Sequence, residues 1–400
     1  MTGTTITRVP ALDGLRGVVA LIVVFYHVSL VARPFLDTGT DGDAWWWITN
    51  TPLKLFTAGT ESVLVFFVLS GLVVTLPALR DGFGWFGYYG GRMLRLYIPV
   101  WGSLALAAVA IALLPRDLAM VTPDSWLART NALTLSWPQL AHEASLAKAS
   151  YDVNNVLWSL RWELVFSLAL PLFVAAARAL RESWIFAAVL AVACTITGRL
   201  VDVDALVYMP VFFLGALMAV RLPELRAAVR AWPRAGRVAL AGASGLVLIG
   251  SWLARPVEGA LGSELLWGLS GVGAAGIVVV TLGSRTAEGV LSLRGPAWLG
   301  RISFSLYLVQ APLIGTLAFA LGDARWVIVA LVSVPACLLV AWLFHLAVEK
   351  PSHRLAKLVS RQLSRTDSTL PAGSLNQQIT GPHSGLPGRE IPRSSVSSPS

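Results

Sequence analysis

The sequence predicts an all-α polytopic membrane protein, with about ten transmembrane helices in one bundle and both termini in the cytosol. Two observations predict this fold class. Of the 400 residues, 56% are hydrophobic and only 13% are charged, whereas a soluble domain has about 25% charged residues. The apolar residues also fall into runs of about 20, which is the length a helix needs to cross the hydrocarbon core of a bilayer.

Composition excludes several other classes. The two cysteines, Cys194 and Cys337, lie inside apolar runs and cannot form a disulfide framework or a multi-thiolate metal site, so we predict no metal. The net charge of +9 comes from residues in short loops between apolar runs. The natural partners of such residues are the headgroups of the lipid bilayer or an anionic cytosolic ligand, and nucleic acid is not expected.

The apolar runs define the order of the predicted spans. The first run is followed by no small-residue cleavage site, so we expect it to remain as a helix and not to be removed as a signal peptide. The fifth and sixth spans are separated by only a short segment, 201–205. The ten spans lie near 15–34, 61–79, 97–114, 157–177, 184–201, 206–221, 237–253, 265–283, 302–321 and 326–347.

These spans divide the chain into three parts. We predict a cytosolic N-terminus (1–14), a transmembrane domain (15–355) and a cytosolic tail (356–400) that is first basic and then disordered. The disorder is expected because the segment beyond residue 365 is rich in Ser, Pro, Gly and Thr, which cannot bury enough apolar surface to fold.

The distribution of basic residues predicts the orientation. With a cytosolic N-terminus, the inside segments hold 20 Lys and Arg residues before the distant tail and the outside segments hold 8, as the positive-inside rule requires. The longest loop, about 116–155, then lies outside. Because long loops in compact folds are usually functional or disordered, we interpret it as a lid or an acceptor platform.

Ionisable residues inside a membrane span cost roughly 2.5–3.5 kcal/mol on insertion scales, and each is therefore a functional hypothesis. His27 lies two thirds of the way along the first span, and Arg16 lies at its cytosolic mouth. Eleven helical steps separate the two residues, which corresponds to a rotation of about 1100°, close to three full turns. Both side chains therefore lie on one face of the helix, about 16 Å apart along its axis. We predict that the pair holds the two ends of one cytosolic ligand. The alternative is that His27 only bonds a neighbouring helix and Arg16 only orients the span.

An acidic residue and two further arginines extend this hypothesis. Glu163 lies in the fourth span, about a turn and a half below the outer surface. Because Arg161 is on another face of that helix, the partner of Glu163 must come from elsewhere. Arg92 and Arg95 share a face at the start of the third span. Together with Arg16, these two arginines are predicted to form a cationic collar that suits phosphate groups. The alternatives are a Glu163 satisfied by a loop backbone and arginines that only orient the helix.

Five segments, in order along residues 12–355, carry a family resemblance. They are RVPALDGLRGVVALIVVFYH, VFFVLSGLVVT, WSLRWE, LGRISFSLYLVQAP and VEKPSHR. These segments resemble the Arg-x10-His, FFxLSGF, W-S/T-L-x-x-E, L-Y-L-x-H-x-P and E-x-P-x-x-R elements of the acyltransferase-3 family of integral membrane acyltransferases. That family includes O-antigen and nodulation-factor O-acetylases and macrolide O-acyltransferases.

The chain departs from the family pattern at two positions. Leu64 stands where many members have an acidic or polar residue, and Glu61, one turn earlier, is its candidate substitute. Gln310 stands where many members have a histidine, so we predict that this position is not an essential base. Two-component members carry an SGNH hydrolase domain after the membrane part, and we expect this protein to act without one.

The resemblance implies an acyltransferase that transfers groups other than amino-acyl groups. Its expected reaction moves an acyl group, commonly acetyl, from cytosolic acyl-CoA to a hydroxyl of a sugar, in a multi-pass protein of the cell membrane. The acceptor is either an exported polysaccharide or a glycosylated small molecule. Acyl-CoA is a donor substrate, and no permanently bound cofactor is expected.

The residues fit this reaction physically. His27, Glu163 and Arg16 are the expected catalytic residues. His27 is the general base, because histidine titrates near neutral pH, and Glu163 orients the acceptor or the imidazole from the outer side. Arg16, Arg92 and Arg95 are expected to hold the phosphates of CoA.

Two other function classes remain open from the sequence. A multi-pass transporter of an acylated or anionic small molecule would also place His, Glu and Arg in its helices, and so would a helix-bundle scaffold. Ser70 is either an acyl carrier or a helix-packing serine, and we expect packing. The sequence contains no G-x-S-x-G nucleophile elbow.

Overall fold

The computed structural model describes residues 10–147, 150–255 and 260–369. Within these ranges all regular structure is helical, as the sequence predicts. The first nine α-helices are α1 (Pro10–Leu36), α2 (Ala44–Thr49), α3 (Gly59–Ala78), α4 (Trp85–Leu113), α5 (Trp126–Thr130), α6 (Trp137–Ser145), α7 (Leu157–Leu168), α8 (Leu170–Ala179) and α9 (Trp184–Leu200).

The second half of the chain continues in the same way. The helices are α10 (Asp204–Val220), α11 (Leu222–Ala231), α12 (Arg234–Leu248), α13 (Gly250–Leu253), α14 (Ala260–Gly283), α15 (Arg285–Leu291), α16 (Arg294–Leu321), α17 (Trp326–Phe344) and α18 (Lys350–Thr369). Short 3-10 turns lie at Pro52–Thr57, Leu118–Met120 and Asp323–Arg325, and a π-helical turn, His345–Glu349, joins α17 to α18.

Among the described residues, six helical segments are long and apolar enough to cross a membrane, and two bent pairs raise the number to eight if each pair is one span. The predicted count of ten is not confirmed. α9 has 17 residues, about 25 Å of helix, which is shorter than the roughly 30 Å hydrocarbon core. The predicted span 237–253 corresponds to α12 and α13, which are separated by a break at Ile249.

Two proline-containing junctions produce the bent pairs. α7 and α8 meet at 64°, and α10 and α11 meet at 80°. Pro171 and Pro223 lie in the first turn of the second helix of each pair. Proline lacks an N–H group and disfavours a helical conformation in the residue before it, so a new helix starts there in a new direction. The fourth predicted span is therefore a broken one.

The centre of the bundle is formed where α1 packs against α16. A Cβ atom added to Gly17 would collide with the backbone of Gly300, and one added to Gly300 would collide with the Asp13 carbonyl. Small residues let membrane helices approach this closely. The contact fixes α1, with Arg16 and His27, against α16.

The described residues cover the two terminal parts of the predicted domain organisation only in part. Residues 1–9 of the predicted N-terminus lie outside the described residues, and α1 begins at Pro10. α18 extends to Thr369, four residues into the segment predicted to be disordered. The remainder of that segment lies outside the described residues.

Candidate active site

A cavity of about 690 Å³ opens beside the first turns of α1 and α4, at the predicted cytosolic end. We call it the vestibule. Among the described residues that line it, five are basic and one is acidic. The charged lining residues are Arg16, Arg92, Arg95, Lys357, Arg361 and Glu163. The structure therefore brings Arg16, Arg92 and Arg95 together as a cationic collar, as predicted.

Glu163 finds its partner in this vestibule. Its Oε1 atom lies 2.5 Å from Nη2 of Arg92 and accepts a hydrogen bond from Ser70 Oγ at 3.3 Å. Arg92 also donates through Nε to Ser167 Oγ at 3.0 Å. The two charged side chains are 17% and 22% exposed, so bulk water screens this charge-assisted pair only partly.

This pairing corrects the expected place of Glu163. The carboxylate lies beside the vestibule, where it pairs with Arg92 of α4, and not at the outer side next to the imidazole. The reason is the packing of α3 and α4 against α7, which sets Ser70 and Arg92 opposite the Glu163 carboxylate.

Arg16 and Arg95 have unused donors. Neither guanidinium forms a hydrogen bond or ion pair with a described residue, and both line the vestibule. A guanidinium has five N–H donors in a planar fork that matches phosphate and carboxylate oxygens. The vestibule therefore has free donors for an anionic ligand.

A narrow extension of about 40 Å³ leads inward from the vestibule. It shares Arg16, Ser70 and Glu163 with the vestibule and runs between α1, α3, α7 and α16. This volume holds only a few water molecules. Its lining includes Ser159 and Tyr307, whose side-chain oxygens are 2.6 Å apart. This hydrogen bond ties α7 to α16 across the extension.

His27 lines neither cavity and lies eleven residues further along α1 than Arg16, which lines both. It is 6% exposed, and its ring packs against Trp126 with 5.1 Å between the ring centroids. Nδ1 of His27 lies 3.0 Å from the carbonyl oxygen of Val23. Since a carbonyl oxygen only accepts hydrogen bonds, we infer that Nδ1 carries the proton of the neutral ring. Nε2 then has the free lone pair that a general base needs.

Gln310 lies beside the His27 ring, one helical turn beyond Tyr307 on α16. Its side chain is fully buried, and neither its amide oxygen nor its amide nitrogen forms a hydrogen bond of normal geometry with a described residue. An unsatisfied buried polar group costs about 1–3 kcal/mol. The Gln310 amide, close enough to interact with the His27 imidazole but without a hydrogen bond of normal geometry, is therefore a candidate ligand-binding group.

The long loop between α4 and α7, predicted to lie outside, packs over His27. It contains α5, which carries Trp126, and α6, and it is packed onto the bundle. Both carboxylate oxygens of the buried Glu143 accept backbone N–H groups, from Val153 at 2.9 Å and from Asn154 at 3.0 Å. Burial raises the pKa of this carboxyl group. Arg116 donates to the Ala132 carbonyl at 2.8 Å, which closes the loop from its other end.

Sequence reasoning missed three parts of this arrangement. Ser159 and Tyr307 lie inside the WSLRWE and SLYLVQ segments. Their place in segments that resemble family motifs was the signal that could have identified them as site residues. Lys357 and Arg361 are two of the 20 basic residues in the predicted inside segments, and the sequence analysis assigns them no further role. Their i, i+4 spacing, which places them on one face of a helix, was the available signal. The long-range contact that brings this helix to the vestibule has no signal in a single sequence.

The fold and the site define a helical membrane protein with an open cationic cavity at one end and a buried histidine near the other. A family model described as an acyltransferase domain, that of the acyltransferase-3 family, matches residues 9–346. The chain belongs to the acyltransferase-3 family and is a membrane acyltransferase. Comparison with curated proteins and with solved structures gave no match.

Proposed function

We propose that the protein is an O-acyltransferase of the cell membrane that moves an acyl group, acetyl in the first instance, from cytosolic acyl-CoA to a hydroxyl of a sugar. The acceptor is an exported polysaccharide or a glycosylated small molecule. The observation that carries this proposal is the vestibule, where five basic residues face one acid and from which a narrow extension runs inward beside α1, the helix that carries His27.

The vestibule suits the donor in size and charge. Its volume of about 690 Å³ lies within the range of about 300–1,000 Å³ typical of small-molecule sites. Arg92 is neutralised by Glu163, which leaves the guanidinium groups of Arg16 and Arg95 for phosphate oxygens. The pantetheine arm of CoA then extends along the narrow passage, with its thioester toward His27.

The reaction requires a base and a donor for the oxyanion. Nε2 of His27 removes the proton of the acceptor hydroxyl as the hydroxyl oxygen bonds to the thioester carbon. The carbonyl electron pair moves to oxygen, and the amide N–H of Gln310 donates to this oxyanion. The carbon–sulfur bond then breaks, and the CoA sulfur takes the proton from the His27 imidazolium. No acyl-enzyme intermediate is needed, so Ser70 keeps a structural role.

Two contacts close the route in this structure. The Ser159–Tyr307 hydrogen bond crosses the narrow extension, and the Trp126 ring packs on His27 from the long loop. On this proposal the donor displaces the first contact and the acceptor displaces the second. Both lie at the boundary of a dry site, from which water that would hydrolyse the thioester is excluded.

The test uses purified protein in liposomes, labelled acetyl-CoA and a panel of glycoside and polysaccharide acceptors. We expect label on the acceptor hydroxyl with the wild type and with His142→Ala, since His142 is exposed on α6. We expect none above background with His27→Ala, and with Arg16→Ala much less than with the wild type at subsaturating acetyl-CoA. Unchanged transfer in both latter variants would refute the site. Flux of an acylated compound without transfer to any acceptor would establish a transporter instead.

A further inference from the structure

We infer that α18, which lies beyond the residues matched by the acyltransferase family model, supplies a binding site for the 3′-phosphate of CoA through Lys357 and Arg361. This inference rests on the proposed use of acyl-CoA as the donor. It assigns the nucleotide end of the donor to a helix outside the matched domain.

The position of α18 is fixed by close packing. It runs antiparallel to α4, where a Cβ atom added to Gly91 would lie 3.2 Å from Ser360 Cβ and 3.3 Å from the Ala356 carbonyl oxygen. One added to Gly87 would collide with Ser364. Small residues at this interface let the two backbones approach. Just before α18, Glu349 accepts a hydrogen bond from Ser305 of α16 at 2.5 Å, which ties the base of the helix to the core.

This packing turns one face of α18 into the vestibule. Lys357 and Arg361 are four residues apart, about 6 Å along the helix axis, and both line the cavity. Both side chains are exposed. Neither forms a hydrogen bond or ion pair with a described residue, so their donors are free for a ligand.

Charge complementarity identifies the ligand group. Since Arg92 is paired with Glu163, the described lining has four uncompensated cations, namely those of Arg16, Arg95, Lys357 and Arg361. A phosphate monoester carries about −1.5 to −2 charge near neutral pH, and the two phosphates of the single CoA diphosphate add about one negative charge each. The cations of the vestibule therefore match the charges of CoA in sign and number.

The order of the cations along the cavity assigns the phosphates. Ser364 contacts Gly84, which precedes α4, whereas Arg95 lies three turns further along α4. Arg361, one turn before Ser364, is thus near the mouth of the vestibule, and Arg95 is deeper. If the thioester points inward to His27, the adenosine 3′-phosphate lies at the mouth beside Lys357 and Arg361, and the diphosphate lies nearer Arg16 and Arg95.

The experiment measures binding to the full-length protein in nanodiscs by isothermal titration calorimetry, with CoA and 3′-dephospho-CoA as ligands. For the double variant Lys357→Gln/Arg361→Gln we expect the Kd of CoA to rise about tenfold, from lost charge-assisted hydrogen bonds partly screened by water. The Kd of 3′-dephospho-CoA should stay within about twofold, because that ligand lacks the contacted group.

The chain offers a matched control on the same helix. Lys350 and Arg354 have the same residue types and spacing and are exposed, but they do not line the vestibule. Lys350→Gln/Arg354→Gln should leave both Kd values unchanged. Equal loss of CoA affinity in the two double variants, or equal loss for both ligands, would overturn the 3′-phosphate site. Absence of CoA binding to the wild type would overturn the proposed donor itself.

Discussion

The vestibule and the surroundings of His27 share helix α1 but differ in their solvent and their charge. Arg16 and His27 are eleven residues apart on this continuous helix, about 16 Å along its axis. Around Arg16 the structure has an open, cationic cavity with free guanidinium donors. Around the buried His27 it has the half-buried rings of Tyr26 and Trp126 and the buried amide of Gln310.

This difference separates two tasks of an acyltransferase. Phosphates are strongly hydrated, so their site needs exposed charges that act at a distance. Proton transfer and oxyanion stabilisation need a dry site, because hydrogen bonds to developing charge are stronger where water is excluded. Changes in the vestibule should therefore alter donor affinity, whereas changes near His27 should alter turnover.

The largest expected effect is that of His27→Gln. We expect kcat to fall by about 10²–10⁴-fold, the usual contribution of a general base, because the amide of glutamine cannot accept the hydroxyl proton. The Kd of acetyl-CoA should stay within about twofold, since binding energy comes from the vestibule. Rapid-quench turnover and calorimetry on the same preparation measure both. A parallel loss of affinity would mean that the two regions are not separate.

The second largest effect is expected for the substitution Gln310→Leu. Leucine keeps most of the volume but removes the amide donor, so we expect kcat to fall by about 10²-fold, as for loss of an oxyanion donor. The melting temperature should be unchanged or higher, because an unsatisfied buried amide is removed. A lowered melting temperature with unchanged kcat would show that Gln310 is only structural.

The Arg92–Glu163 pair gives a smaller effect on stability. Arg92→Gln or Glu163→Gln alone should lower the free energy of unfolding by about 1–3 kcal/mol, because each leaves a partly buried charge without its partner. The double variant should be more stable than the sum of the two single losses predicts. Thermal unfolding of the three variants in one detergent measures this coupling, and strictly additive losses would contradict it.

Salt should produce the smallest effect. Raising ionic strength from about 0.1 M to about 1 M shortens the Debye length from about 10 Å to about 3 Å. We therefore expect the Kd of acetyl-CoA to rise several-fold, while kcat at saturating donor stays nearly constant because the His27 site is buried. Steady-state kinetics at several salt concentrations test this. A fall in kcat with unchanged KM would reverse the assignment of the two regions.

Particular residues show how far the sequence predicted the structure. The all-α class, the first span with Arg16 and His27, and the cationic collar of Arg16, Arg92 and Arg95 were all predicted. The partner of Glu163 was not, because Arg92 lies 71 residues away in the chain and only the packing of α4 against α7 brings the two side chains together. The count of ten spans was not confirmed, because hydropathy registers apolar length and does not register where a helix bends or ends.

The sequence by itself determined the class of the protein and its family, because hydropathy and the motifs within five short segments are local properties of the chain. It also singled out His27 and Glu163, because ionisable groups are rare in apolar runs. Only the tertiary structure decided which groups meet: Arg92 with Glu163, Gln310 with His27, and α18 with the vestibule. These contacts depend on close packing between distant helices, which no local pattern records.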